Sequence, residues 1–415
     1  MTVSVLHFST ADNEGGSGRS AYRIHSELRR RGHRSRMLVK HKVTADPDVA
    51  AVAPGRLLRR ADNLADDATG RAGLQYQVIP SSGRTLSHPW LGEANLIQLY
   101  NTHGGYLAHR LLPRLARGRP IVWRLSDMWP MTGHCAYAGA CGRWLSGCGA
   151  CPDLLTYPGI GRDTTAWLWR QKRDIYRKLS LTVVAPSSWT EDIAKRSPLF
   201  AGRAVHRIPN GLDLGIFRPH DRAAARAFLN IPQGCVALLY APHVAAANAR
   251  KGSDALASIL CTLGPRSDVV VLVAGVGAQA WVGQVPQTVI PLGYLTDDRL
   301  IAMANAAADV VVAPSAVENL PNSVIEAFAC ARPVVAFDAG GMRDAVRPGE
   351  TGALVPLGDI GAFTAALRDL VDDASRREAM GRRALDLASR EYCAKRQGER
   401  FEALYLSLLA QSEQP

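Results

Sequence analysis

The stretch DVVVAPSAVENLPNSVIEAFACARPVVAFDAGGMRDAV, residues 309–346, decides the fold class. Its first apolar run, at 310–313, is typical of a strand that is buried on both faces of a sheet. Pro321 predicts the start of a helix, because proline is tolerated in the first helical turn. A second apolar run at 333–337 predicts the next strand. The order strand, loop, helix, strand predicts one unit of a parallel α/β sheet.

Similar units lie on both sides of this stretch and form two series. The apolar runs of the first series lie at 3–8, 36–41, 95–100, 120–125, 181–185 and 205–208, and those of the second at 235–241, 268–275, 288–293, 309–315, 333–338 and 352–356. We therefore predict an α/β protein of two Rossmann-like domains with a ligand-binding cleft between them. The predicted bounds are 1–217 for the N-terminal domain, 218–393 for the C-terminal domain and 394–415 for a C-terminal helix that packs back on the N-terminal domain, with an interdomain linker at 208–232 and a long helical stretch over 380–410.

Composition and charge limit the classes of function. The chain has 415 residues, 47% hydrophobic and 21% charged, which is a globular balance. It has no run of 18 apolar residues and no signal-like N-terminus, so we expect a cytoplasmic protein. Residues 1–217 carry 30 basic and 16 acidic side chains, against 19 and 21 in residues 218–415. The basic half suits an anionic partner, which is a phosphorylated substrate, a nucleic acid or, through peripheral binding, the inner face of an anionic membrane, although a solvated arginine-rich surface has the same charge.

The loop and helix after the decisive strand carry a candidate ligand site. Glu318, Asn319 and Leu320 lie in the loop, and Asn322 follows the proline that begins the helix. The first amides of a helix favour anions such as phosphate. Glu326, roughly one turn further along, could accept hydroxyls of a ribose, while Glu318 could meet hydroxyls of a transferred group. Two glutamates at this spacing are also common on solvated helices.

In its context, this stretch resembles the retaining glycosyltransferases of family 4, which have the GT-B fold. The segments IPNGLD at 208–213, RKG at 250–252 and GETGALVPLGD at 349–359 match the same family. The resemblance implies a hexosyltransferase that moves a sugar from a nucleoside-diphosphate donor to an acceptor hydroxyl, with retention and without a catalytic metal. The implied acceptor is a small molecule, a lipid-linked sugar or a polysaccharide.

The resemblance also implies roles for single residues of the C-terminal half. Lys251 matches the lysine that neutralises the donor diphosphate, Glu326 the glutamate that binds the ribose, and Glu318 the glutamate near the donor sugar. The loop whose backbone faces the sugar and phosphates is matched by Asn319, Leu320 and Pro321. Many members have an arginine shortly before the lysine. This chain lacks it, so His243 or Arg250 has to supply the second cation.

The N-terminal half provides candidates for the acceptor side. Gly16 lies in a glycine-rich turn after the first strand, which in the resembling family approaches the donor phosphates and the acceptor. Asp127 follows a strand and is a candidate for orienting the acceptor hydroxyl, although it suits a helix cap equally well. A related branch of the family has histidine where this chain has Ser126. The role of that histidine is then lost or taken by His103 or His134.

Four cysteines crowd into 17 residues with the spacing C-x5-C-x6-C-x2-C. They are Cys135, Cys141, Cys148 and Cys151. Four thiolates suit tetrahedral Zn²⁺, so we predict a structural zinc site, with two disulfides or free thiols as alternatives. An iron–sulfur cluster would bring nothing to a transferase without redox chemistry.

Two other classes of function stay open at this point. A nucleotide-sugar epimerase of the same fold would release nucleotide without an acceptor. A basic protein that binds nucleic acid or membranes would use the N-terminal half, but no helix-turn-helix, RNA-binding aromatic motif or Lys/Arg tract is present. We therefore expect no nucleic-acid partner.

Overall fold

A computed structural model describes residues 2–53, 55–245 and 249–412. The chain divides into two compact units. The first unit consists of Met1–Pro209 and Gln397–Pro415, and the second is Asn210–Arg396. Residues 413–415 of the predicted C-terminal segment lie outside the described residues. Within the described ranges, no helix has both the length and the apolar character that a membrane crossing requires.

Each unit contains one parallel sheet. The strands of the first sheet are β1 Ser4–Ala11, β2 Arg34–His41, β3 Val49–Ala51, β4 Leu96–Leu99, β5 Ile121–Arg124, β6 Leu181–Ala185 and β7 Val205–Arg207. Those of the second are β8 Val236–Tyr240, β9 Val269–Ala274, β10 Thr288–Gly293, β11 Val310–Ala313, β12 Val334–Phe337 and β13 Gly352–Val355. The strand orders are β3-β2-β1-β4-β5-β6-β7 and β10-β9-β8-β11-β12-β13.

The helices connect these strands. Those of the first unit are α1 Gly15–Arg30, α2 Arg56–Arg71, α3 Ser82–Thr85, α4 Pro89–Glu93, α5 Leu112–Ala116, α6 Thr165–Tyr176 and α7 Ser188–Arg196. The helices of the second unit are α8 Arg222–Phe228, α9 Ser253–Leu263, α10 Asp298–Ala307, α11 Asn322–Ala329, α12 Met342–Ala345, α13 Ile360–Asp372 and α14 Ala374–Glu391. The last helix, α15 Ala394–Ser412, begins in the second unit and continues into the first.

Both sheets have the doubly wound topology, in which the strand order reverses once. The reversal lies between β1 and β4 in the first sheet and between β8 and β11 in the second. Ligands of such sheets bind beyond the carboxyl ends of the strands at this switch point. The topology therefore directs attention to the loops after β1 and β4, and to those after β8 and β11.

Each sheet is buried on both faces, which explains why its strands are continuous apolar runs. In β11, Val311 packs into one hydrophobic cluster while Val310 and Val312 pack into another. Leu6 and Val5 of β1 divide in the same way. Alternate residues of a strand point to opposite faces, so both faces need apolar side chains.

Twelve predicted strands are confirmed by the sheet composition, while β3 is a short strand that the sequence did not indicate. The glycine-rich turn that the sequence predicts after the first strand is the first turn of α1, which begins at Gly15. A side chain at Gly18 would meet the Ala11 carbonyl oxygen at 3.1 Å, so glycine permits this close return to β1.

The predicted linker and the predicted long C-terminal helix differ most from the structure. The linker contains α8, whose fully buried Arg226 pairs with Asp309 at 2.7 Å and ties residues 210–232 to the second unit. Leu212 also exchanges backbone hydrogen bonds with Tyr392 and Ala394. This exchange interrupts the helical stretch between α14 and α15. The second unit thus begins at residue 210, whereas the N-terminal domain was predicted to end at residue 217.

The last helix lies on the first sheet. Phe401 and Tyr405 of α15 share a hydrophobic cluster with Val5 of β1 and Ile24 of α1. The Tyr405 hydroxyl donates to the Gln98 side-chain oxygen at 2.9 Å.

Candidate functional site

The switch point of the second unit brings two distant loops together. Gly252 has φ +76°, and a Cβ atom there would lie 1.9 Å from the Pro314 carbonyl oxygen, so only glycine lets the chain pass this close. The Ala316 amide donates to the Arg250 carbonyl at 3.0 Å. These two contacts hold the RKG segment against the loop after β11.

The result is an ion pair between two predicted site residues. The Lys251 amino group contacts the Glu318 carboxylate, which is 67 residues away in sequence. The Lys251 side chain is 21% exposed and that of Glu318 is 9% exposed. The Tyr240 hydroxyl, at the end of β8, donates to the Lys251 carbonyl at 3.1 Å and fixes the lysine backbone. The Lys251 amino group is thus a cation at the switch point that is accessible to a ligand.

Helix α11 begins at the same place. Pro321 precedes its first residue, and its carbonyl accepts from the amides of Val324 and Ile325. The amides of Asn322 and Ser323 lie before these first helical hydrogen bonds, as expected at a helix start. The predicted helix with Glu326 on it is therefore confirmed, and this glutamate is buried.

Two further contacts hold the loop between β11 and α11. The Asn210 side chain donates to the Leu320 carbonyl at 3.0 Å and to the Asn322 side-chain oxygen at 2.9 Å. The Gly341 amide donates to the Glu318 carbonyl at 3.0 Å. The sequence analysis gave no role to Asn210, although its place in the IPNGLD segment was a usable signal.

Arg250 and His243 are the two candidates for the second cation, and the structure places them in different surroundings. Arg250 is the direct neighbour of Lys251 and is part of the same loop contact. His243 is exposed, and its ring lies edge-on to Tyr294 with a centroid distance of 5.0 Å. Asn319 is buried beside Glu318 in the loop after β11.

In the first unit, the first turn of α1, which contains Gly16, meets the end of β5. The hydroxyls of Ser17 and Ser126 lie 2.9 Å apart. The family histidine position, Ser126, is therefore in contact with the first turn of α1. A small side chain there allows this close approach between the turn and the strand.

Asp127 and His103 form a buried pair after β5 and β4. The His103 Nε2 atom lies 3.3 Å from Asp127 Oδ2, and the other oxygen, Oδ1, accepts from the Trp129 amide at 2.9 Å. Burial lowers the pKa of His103, and the Asp127 charge partly offsets this. Because both carboxylate oxygens have partners inside the protein, the geometry favours Asp127 as a residue that positions His103.

His134 lies in a different place, among the cysteines. Its Nε2 atom is 3.3 Å from Cys151 Sγ, and its Nδ1 atom is 3.2 Å from the Pro158 carbonyl. Burial raises the pKa of the Cys135 thiol to about 11. Among the described residues, no three His, Cys, Asp or Glu side chains are placed closely enough to hold a metal ion as they stand.

The comparisons with known proteins cover the same region of the chain. Residues 239–373, which include the whole Lys251–Glu318–Glu326 region, match the family described as Glycosyl transferases group 1. The chain is also similar to D-inositol 3-phosphate glycosyltransferase 1 of Catenulispora acidiphila, 35% identical over 46% of this chain and 48% of that relative. The match to that relative thus spans about half of its length.

A second relative aligns along most of the chain. It is the D-inositol 3-phosphate glycosyltransferase of Mycobacterium bovis strain BCG Pasteur, 28% identical over 89% of this chain and 75% of the relative. The family match to residues 239–373 and the two relatives thus agree in pointing to group 1 glycosyltransferases as the proteins that this chain resembles. The resemblance proposed from the sequence is thereby confirmed.

Solved structures place the chain in the GT-B fold. Sucrose-phosphate synthase from Thermosynechococcus elongatus superposes with a TM-score of 0.71 at 18% identity, over 98% of this chain and 99% of that chain. Anabaena HepE, in complex with UDP and glucose, superposes with a TM-score of 0.68 at 18% identity, over 98% and 100%. At these identities the likeness concerns the fold alone.

Proposed function

We propose that the protein is a glycosyltransferase that moves a hexose from a nucleoside-diphosphate donor to an acceptor hydroxyl, with retention of the anomeric configuration and without a catalytic metal. The Lys251–Glu318 pair at the switch point of the second unit carries the proposal. A structure of the same fold, HepE, was solved with UDP and glucose, which supports a nucleotide-sugar donor.

Lys251 has the position and charge to receive a diphosphate. Negative charge grows on the leaving diphosphate as the anomeric bond breaks, and a fixed cation stabilises that charge most when it is already in place. In the structure Glu318 compensates this cation. A bound diphosphate replaces Glu318 as the partner of Lys251, and the released carboxylate is then able to accept hydroxyls of the donor sugar.

Helix α11 supplies the remaining contacts to the donor. The amides of Asn322 and Ser323 lie at its positive end, where a phosphate is favoured. Glu326 lies further along α11 and accepts the ribose hydroxyls in this proposal, while the backbone of Asn319 and Leu320 lines the sugar. Arg250 adds a second cation beside Lys251. These protein groups supply the positive charge that a metal provides in other transferases.

Retention follows if the leaving phosphate takes the proton of the acceptor hydroxyl on the face from which it departs. No second carboxylate is then needed as an acid or a base, in contrast to the carboxylate pairs of glycoside hydrolases. This distinguishes the proposal from one in which Glu318 forms a covalent bond to the sugar.

On the acceptor side we propose His103 as the residue that replaces the family histidine, because Ser126 contacts Ser17 instead. Asp127 orients His103 through the 3.3 Å contact, and Gly16 lies in the turn of α1 nearby. The two relatives named above are described as glycosyltransferases of D-inositol 3-phosphate. A small anionic polyol therefore suits the basic first unit better than a lipid-linked or polysaccharide acceptor does.

The test begins with thermal denaturation in the presence of UDP, GDP, ADP and dTDP. We expect at least one of them to raise the melting temperature, and the matching nucleotide sugar to be turned over only when an acceptor is added. Nuclear magnetic resonance of the product then gives the anomeric configuration. No stabilisation by any nucleotide would contradict the donor site, an inverted product would contradict retention, and acceptor-independent release would favour the epimerase.

A further inference from the structure

The four cysteines between residues 135 and 151 line one small cavity of about 30 Å³ in the first unit. All eight cysteines of the chain lie within the described residues, and each is a free thiol. We propose that the four thiols bind one structural Zn²⁺ ion, and that this ion fixes the loop beside the acceptor side of the enzyme. The proposal is independent of the donor site in the second unit.

The backbone around Cys148 and Cys151 turns sharply through the left-handed region. Four consecutive residues have positive φ angles, namely Gly147 at 113°, Cys148 at 58°, Gly149 at 93° and Ala150 at 45°. Left-handed backbone is unfavourable at the two non-glycine residues, so it persists only where other interactions require it. A metal that binds Cys148 and Cys151 provides such an interaction.

Two of the four sulfurs already have polar protein groups next to them, as metal-bound thiolates do. The Gly133 amide donates to Cys148 Sγ at 3.2 Å, and His134 Nε2 lies 3.3 Å from Cys151 Sγ. Hydrogen bonds from outer groups to ligand atoms orient the ligands of a metal site. His134 is accordingly an outer partner, whereas the ligands are the four thiols.

The walls of the site are also fixed by hydrogen bonds. The Gly149 amide donates to the Thr165 hydroxyl at 2.9 Å, and the Cys151 amide donates to Asp163 at 2.8 Å. Both partners lie at or just before the start of α6. The buried Lys172, from the same helix, donates to the Thr132 carbonyl at 3.0 Å. The backbone around the cavity is therefore held in place by these hydrogen bonds.

Zinc fits this set better than two disulfides do. Two disulfides would join the sulfurs in pairs and would leave the cavity that all four line without an occupant. Zn²⁺ takes four cysteine ligands in tetrahedral geometry, and such closed sites have structural roles. Binding energy at a site of this kind appears as folding energy of the loop.

The loop is directly connected to the acceptor side. The Met128 amide donates to the Ala136 carbonyl at 2.9 Å, which ties the first cysteine segment to the residues after Asp127. Trp129 lies against the His103 ring with a centroid distance of 5.5 Å. Zinc would thus support the Asp127–His103 pair without contact to the substrate.

Elemental analysis of the full chain, purified under reducing conditions, tests the proposal. We expect about one zinc per chain in the wild type, and a tetrahedral thiolate spectrum after replacement of zinc by Co²⁺. Cys148→Ser and Cys141→Ser lose the metal, whereas the matched control Cys261→Ser, at an exposed position, keeps it.

If the serine variants fail to fold, thiol titration of the wild type gives the answer instead. A chelator should make four additional thiols reactive, one for each of the four cysteines that line the cavity. Less than about 0.1 zinc per chain, a metal content that Cys148→Ser leaves unchanged, or a mass that shows disulfides among these four cysteines would each overturn the proposal. None of these readouts depends on donor binding or turnover.

Discussion

The switch points of the two sheets differ in the kind of side chain that they hold, although their strand orders are alike. In the second unit, a cation and an anion meet as Lys251 and Glu318. In the first unit, the turn after β1 brings hydroxyls together, and His103 after β4 pairs with Asp127. Burial favours the neutral form of this histidine.

In the proposed function, this difference corresponds to the chemistry that each unit performs. A leaving diphosphate develops charge, which a fixed ion stabilises, whereas an acceptor hydroxyl is uncharged and has to be oriented. One sheet topology serves both purposes, because the loops at its edge carry the function. We assign the buried His103–Asp127 pair to the acceptor hydroxyl. This pair therefore does not account for the basic charge of residues 1–217.

Lys251→Ala should give the largest effect. We expect a loss of about 10²–10³ in kcat, because the charge of the leaving diphosphate loses its fixed cation. Lys395→Ala, an exposed lysine of the same unit, is the matched control and should retain full activity. Steady-state kinetics with the nucleotide sugar measure both. A Lys251→Ala enzyme as fast as the control would remove the contrast between the two switch points.

Gly252→Ala should lower the free energy of unfolding of the second unit several times more than the control substitution Gly264→Ala does. Its Cβ would lie 1.9 Å from the Pro314 carbonyl oxygen, so the RKG segment has to move, at a cost of about 1–3 kcal/mol. Gly264→Ala has a similar φ of +80° with nothing within 4 Å, and it isolates the cost of the backbone angle. Denaturant titration compares the two free energies of unfolding. Equal losses would show that the close approach is unimportant.

Asp127→Asn tests the first unit in the same way. We expect kcat/KM for the acceptor to fall about tenfold, because His103 loses the partner that orients it, while nucleotide affinity stays unchanged. Asp192→Asn, on the exposed side of α7, is the control. If the substitution weakened nucleotide binding as much as acceptor use, the assignment of separate tasks to the two units would fail.

The smallest effect is expected at a membrane surface. Leu57 and Leu64 of α2 are 81% and 71% exposed and lie seven residues apart; Arg56 adjoins Leu57, and Arg60 lies one helical turn before Leu64. Replacing both leucines by serine should reduce binding to anionic vesicles roughly threefold to tenfold, and high salt should reduce it further. Sedimentation of vesicles measures the bound fraction. Equal binding to neutral vesicles would indicate that the basic surface has no lipid partner.

The sequence predicted the strands well because both faces of each sheet are buried, which leaves long apolar runs such as that of β11. It also placed Glu318 and Glu326 correctly, since a loop and a helix follow that strand directly. Lys251 and Glu318 are far apart in sequence, so only the family resemblance suggested that they share a site, and their direct contact was not predicted. The role of Asn210 and the buried pair of Arg226 with Asp309 depend on tertiary packing and left no periodic signal.

Calorimetric titration of the nucleoside diphosphate selected by the thermal screen tests the donor site most directly. Glu326→Gln, which preserves side-chain size, is compared with the wild type and with Glu378→Gln, an exposed glutamate of the same unit that is 76% exposed. We predict that the wild type and Glu378→Gln bind alike and that Glu326→Gln binds at least about tenfold more weakly, because the loss of a charged acceptor for two ribose hydroxyls costs roughly 1.5–3 kcal/mol. Equal affinity of Glu326→Gln and the wild type would contradict the placement of the donor at α11.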